Sequence, residues 1–231
     1  MTGTGFVTGF LAEQRCLEAA FNKHSSSTPT RYFCAGASLE RAYTGARRLI
    51  EDGADALVSF GIAGGLDATL TPGTTVIAST VIDTEGSHWD TSASWRIAAA
   101  AVLPDTTAGT LVSTATAATT PGEKARLNRD HQALAVDMES AGVARAAAEA
   151  ECPFLVVRVI ADPADRSLPS SALHGIDAEG RQRPFRVISK LIMRPWELSG
   201  LIRLSNDSQT ALKQLGRVAA LGHGFLGRPP L

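Results

Sequence analysis

Cysteine is scarce in this chain, aromatics make up only 6% of it, and net charge is nearly absent. Cys16, Cys34 and Cys152 lie far apart and form neither a CxxC pair nor a Cys/His cluster. That excludes the common metal and redox spacings, and an odd count makes a poor disulfide framework. Thiols kept reduced in a cytosol are the simple reading, so a cytoplasmic protein without a metal is expected. Lys and Arg total 22 against 23 Asp and Glu, for a formal charge of -1. Such a balance gives no general attraction for nucleic acid. No apolar run approaches the roughly 20 residues that span a bilayer. The first residues carry no basic segment and their apolar positions are interrupted by Gly and Thr, so no signal peptide is expected. No repeat and no linker stands out. A hydrophobic content of 44% over 231 residues therefore points to one globular domain, residues 1–231, with its own core.

What is present is an alternation of short β-rich runs with Ala-rich helical stretches. Phe6 to Thr8 reads as a strand ending at Gly9, followed by a helix from about Ala12. Arg31 to Ala35 reads as a strand, and Leu39 to Asp52 as an amphipathic helix stopped by Gly53. Ala56 to Phe60 is a buried-strand pattern running into an expected turn, Gly61 to Gly65. Further strands are expected at Thr75 to Ile82, Gly109 to Ser113, Ala133 to Met138 and Phe154 to Ala161, with a helix over Ser140 to Ala150. The tail suggests helical segments from about residue 184, broken at Pro195 and Gly200 and fraying after Gly222. Strands separated by helices argue for an α/β sheet with helices on both faces.

Chemistry concentrates at the C-terminal ends of these strands, where open α/β sheets bind ligands. Gly61-Ile62-Ala63-Gly64-Gly65 matches neither GxGxxG nor GxxxxGK[ST], which excludes the dinucleotide and P-loop readings. It is either an anion-cradling backbone or a tight turn needing positive φ. In Val136-Asp137-Met138-Glu139-Ser140, the Glu139 carboxylate stands at a strand-to-helix junction. There it either accepts bonds from a ribose diol or serves as a first-turn acid favoured by the helix dipole. Asp162 follows the most apolar strand, where burial raises a carboxyl pKa and suits it to donating a proton; capping the chain before Pro163 is the other reading. Arg158, inside that strand, needs a partner, whether an internal ion pair or a substrate. Glu13 follows the first strand, as a nucleophile activator or as an acid of the helix start. The five histidines show no ligand spacing and read as loop or surface residues, although His88-Trp89-Asp90 is placed to line a cleft. No Gly-x-Ser-x-Gly elbow exists, which argues against a serine hydrolase.

Three blocks, Ser59 to Leu66, Ala135 to Ala141 and Phe154 to Asp162, resemble in order and spacing the nucleoside phosphorylase and nucleosidase superfamily that includes methylthioadenosine/S-adenosylhomocysteine nucleosidase. Asp162-Pro163-Ala164-Asp165-Arg166, Arg194-Pro195 and Leu201 to Leu204 look closest to hopanoid-associated phosphorylases. The resemblance implies a three-layer α/β fold with a central mixed sheet. It implies cleavage of the N-glycosidic bond of a 5′-substituted adenosine, foremost adenosylhopane, with adenine released. Inorganic phosphate is then a co-substrate if the reaction is phosphorolysis, and no other cofactor is implied. Carried over, Glu139 binds the ribose hydroxyls, Met138 packs on the sugar, and Asp162 protonates the base. Asp137, Gly61, Ile62, Ala63, Gly64 and Arg158 complete the substrate site, and either Glu13 or Gln14 fills the N-terminal site position. A homo-oligomer with transient membrane-surface contact is implied as well. The chain departs from the pattern at Ser59 and Ile62, where related phosphorylases often carry Arg and a hydroxyl residue, and at Ala161, often Ser. Arg15, Arg31, Arg47 and Arg48 are the candidates to replace the lost phosphate contacts. A small-substrate nucleosidase working by hydrolysis, and a non-catalytic nucleoside-binding protein, are the alternatives.

Overall fold

A computed structural model describes residues 3–23, 30–103, 105–170, 172, 180 and 194–227. Its centre is an eight-stranded mixed sheet. The strands are β1 (Gly3–Thr8), β2 (Arg31–Cys34), β3 (Ala54–Gly65), β4 (Thr75–Asp83), β5 (His88–Asp90), β6 (Thr106–Ser113), β7 (Ala135–Asp137) and β8 (Phe154–Asp162). They run in the order β2-β1-β3-β7-β6-β4-β5, with β8 pairing both β3 and β4. β1 and β8 run parallel to β3, whereas β7 runs antiparallel to it.

The helices are α1 (Leu11–Lys23), α2 (Leu39–Glu51), α3 (Ala93–Val102), α4 (Pro121–His131), α5 (Ser140–Glu149) and α6 (Leu198–Leu226), the last preceded by a short 3-10 turn at Pro195–Glu197. Two apolar clusters flank the sheet. One packs α2 and α5 through Ala42, Ala46, Val143 and Ala147. The other packs α1, α3 and α6 through Leu17, Trp95, Leu215 and Val218. Every residue of β8 is buried, as a strand covered on both faces requires. The expected α/β fold with a central mixed sheet is what the chain forms.

Several expectations change. Gly61 to Gly65 is not a turn: β3 continues through it, and none of these glycines has positive φ. The glycines serve close approach instead, for a Cβ on Gly61 would stand 2.7 Å from Glu13 Oε1. A shift in the β3–β8 register between Ala63 and Gly64 then brings Asp162 opposite Gly64. The tail helix passes unbroken through Gly200 and Gly222 to Leu226. A Cβ on Gly200 would meet Pro169 Cγ at 3.1 Å, so a missing side chain there admits a neighbour rather than ending the helix. His88-Trp89-Asp90 forms the edge strand β5, pairing with β4. Residues 181–193, where helical segments were expected to begin, lie outside the described residues, as do His24 and His174. No described helix is long and apolar enough to cross a membrane.

Candidate active site

The ends of β3, β7 and β8 open into one cavity of about 620 Å³. Met138, Glu139 and Asp162 all line it, with Ile62, Ala63, Gly64 and Asp137. Ala115 to Ala118, Leu168 and Leu204 make the remaining wall largely apolar. Phe10 is the one aromatic among the described lining residues. Gly61, Glu13 and Arg158 stand behind this lining.

Glu139 occupies the N-cap position of α5, but its side chain makes no capping bond. Asp137 does that work. Its carboxylate accepts from the backbone N–H of Ser140 at 3.2 Å, and Ser113 Oγ accepts from Ala141 N at 2.9 Å. With the orphan donors of the first turn satisfied by neighbours, the Glu139 carboxylate is left to face the cavity. Asp137 also accepts from Ser140 Oγ, Ser113 Oγ and Arg158 Nε. It therefore ties Ser113, Ser140 and Arg158 together while also lining the cavity.

Arg158 is fully buried. Its Nη2 donates to Ser59 Oγ at 2.7 Å and to Ser140 Oγ at 3.1 Å, and lies 3.4 Å from Glu139 Oε2. Of its two sequence readings, the structure shows the internal ion pair. Burial works against its charge, yet Asp137, Glu139 and Glu13 outweigh burial and hold the guanidinium protonated.

Glu13 is buried and held by three backbone donors, with acceptor capacity left on Oε1. Oε2 accepts from Gly9 N and Phe10 N, both at 2.8 Å, and Oε1 accepts from Ile62 N at 2.8 Å. Position 13 therefore holds the site-side carboxylate, while Gln14 turns aside to donate to Glu18. Burial pushes the Glu13 carboxyl up, against the pull of Arg158 and these N–H groups. Glu139 is pushed up to about 8, first by burial and then by Asp137, with Arg158 opposing. Glu13, Asp137 and Glu139 thus surround one arginine, and the surplus acid charge is relieved by retaining a proton.

Asp162 ends β8 and is 8% exposed. Burial raises its carboxyl pKa, and Lys124 lowers it. Lys124, fully buried on α4, donates to Asp162 Oδ2 at 2.5 Å. Sequence reasoning missed this lysine. A signal existed: Thr120-Pro121-Gly122-Glu123 is a capping box that opens a helix, and Lys124 shares a face with the apolar Leu127. None of Arg15, Arg31, Arg47 and Arg48 lines the cavity; Arg47 is occupied on the outer surface with Glu149.

The fold has solved counterparts. S-adenosylhomocysteine nucleosidase from Streptococcus pyogenes, in complex with 5-methylthiotubericidin, superposes with a TM-score of 0.74 at 17% identity, covering 100% of this chain and 98% of that one. The 5′-methylthioadenosine/S-adenosylhomocysteine nucleosidase of Helicobacter pylori gives 0.68 at 15% identity, over 94% and 97%. Futalosine hydrolase of Helicobacter pylori gives 0.67 at 17%, again over 94% and 97%. At such identities the likeness carries the fold alone. A search of curated proteins by sequence finds no match. A family model, however, matches residues 34–193, more than half of the chain, and those residues hold β3, β7, β8 and the cavity acids Asp137, Glu139 and Asp162. The chain belongs to the Phosphorylase superfamily.

Proposed function

We propose that this enzyme cleaves the N-glycosidic bond of a 5′-substituted adenosine by hydrolysis. One observation carries the reading: Glu139 and Asp162, on different strand ends, line the same nucleoside-sized cavity. Glu139 accepts the ribose hydroxyls, and Met138 packs on the sugar. Asp162 gives its proton to the base at N7. The C1′–N9 bond breaks with its electron pair moving to the base, so adenine leaves neutral from an oxocarbenium-like sugar. Water adds to C1′, and its proton passes to Glu13, which lies beside Glu139. General-acid assistance of this kind is worth about 10²–10⁴-fold.

Water is favoured over phosphate by the floor of the site. The backbone N–H groups of Gly9, Phe10 and Ile62, which an anion would need, are already taken by Glu13. The acids around Arg158 outnumber it, and no described arginine or lysine side chain lines the cavity. A phosphate would enter against like charge.

The superfamily match keeps a second reading, phosphorolysis of adenosylhopane. The apolar wall at Leu168, Ala172 and Leu204 supports it, because a hopane needs such a path from the 5′ position. One experiment separates them. The purified protein is incubated with methylthioadenosine and with adenosylhopane, each with and without phosphate, and adenine and the sugar product are quantified. Phosphate-independent adenine release with a free sugar is expected. Release only with phosphate, giving a sugar 1-phosphate, overturns hydrolysis, and no adenine from either nucleoside overturns the activity.

A further inference from the structure

The acid that must deliver a proton is gripped from behind by a lysine to which that mechanism gives no task. Lys124 Nζ is fully enclosed. Besides Asp162 Oδ2 it donates to Pro163 O at 2.8 Å and Arg166 O at 3.1 Å, and stands 3.5 Å from Asp162 O. An ammonium has three protons to give. Here they are divided between one carboxylate oxygen and the carbonyls of the turn that follows it. Asp162 Oδ1 receives no hydrogen bond among the described residues, while Asp162 itself lines the cavity. The preceding residue, Ala161, brings no side-chain donor to the acid.

We infer that Lys124 is the positioning residue of the proton donor: by holding Oδ2 it fixes the rotamer of Asp162 and leaves Oδ1 to carry the proton toward the leaving base. The inference rests on the reading of Asp162 as general acid. Burying a lysine is costly, and replacing a buried ion pair with apolar side chains is often neutral or stabilising. Stability alone is therefore a weak reason for an ammonium at this place. The charged groups around Asp162 are Lys124 from α4, Arg166 from the turn after β8, and Glu139, which lines the same cavity from the β7–α5 junction. Burial strengthens the hold of Asp162 on its proton, and Lys124 opposes it. Without Lys124 the carboxyl becomes a weaker acid and loses its orientation.

Lys124→Met and the milder Lys124→Gln, made in the full chain, test this with two substrates. Methylthioadenosine has a base that needs a proton to leave. 4-Nitrophenyl riboside has a leaving group that departs as the anion. The expected result is a fall in kcat for adenine release of about 10²-fold or more, with nitrophenolate release held within about threefold. Activity that requires the protonated acid falls as pH rises through its pKa, so the alkaline limb of the adenine profile should move to higher pH in the variants. A parallel loss on both substrates, an unmoved alkaline limb, or full adenine release overturns the inference. Asp162→Asn separates the two levels. If it retains adenine release, the general-acid reading itself falls. If it abolishes release while Lys124→Met does not, only the role of Lys124 falls.

Discussion

Gly61→Ala tests the floor of the cavity without replacing an ionisable residue. The added methyl would lie 2.7 Å from Glu13 Oε1 and 2.8 Å from its Cδ and Oε2. Two responses are open. Expelling the carboxylate forfeits three backbone hydrogen bonds, each worth about 1.5–3 kcal/mol when the acceptor is charged. Keeping it, with β3 pushed away, costs about 1–3 kcal/mol as ordinary overpacking. The second is cheaper, so the strand should yield. To restore a normal contact of 3.4 Å from 2.7 Å it must open by about 0.7 Å. A displacement near 1 Å in a catalytic site costs about 10²-fold in rate. The destabilisation should lower Tm by about 2–12 °C, at roughly 2–4 °C per kcal/mol for a chain this long. Adenine release and a thermal melt read both quantities. Gly122→Ala is the control, since its Cβ meets nothing within 4 Å. Wild-type rate and Tm in Gly61→Ala would refute the view that this glycine exists to admit Glu13.

Two further perturbations address the buried charges. Arg158→Met should destabilise by about 3–5 kcal/mol in chemical denaturation, because Asp137 is left as an uncompensated buried acid; a loss below 1 kcal/mol would contradict the pairing. Glu139, held up to about 8 against its ordinary 4.5, keeps in the folded state a proton that the unfolded chain gives up. Its contribution is full below pH 4.5 and is lost as pH rises toward 8. Glu139→Gln should therefore flatten the decline of stability between pH 5 and pH 8, and parallel slopes for both proteins would count against the raised value.

Much of this was legible in the residues. β8 reads as a strand because both faces are covered and its apolar run is continuous. Asp162 and Glu139 could be placed at strand ends for the same reason. Gly61 to Gly65 misled because glycine marks either a special φ or a close approach, and only the fold says which neighbour comes close. Lys124 was hidden because a lysine on a short polar helix reads as solvated, and its partner lies 38 positions along the chain. Arg158 stayed ambiguous since its charge needed partners that local sequence does not name. The helix through Gly200 could not be read because Pro169, which fills the missing side chain's place, is remote in sequence.

The Glu13 carboxyl occupies the backbone donors of Gly9, Phe10 and Ile62, which would otherwise be free for a solute. On the hydrolytic reading, that occupancy sets the energetics of the whole reaction. A sugar phosphate would conserve the energy of the broken bond and let the base be re-attached. A sugar released to water does not, so turnover runs one way and recovery of the ribose falls to a separate, energy-consuming enzyme.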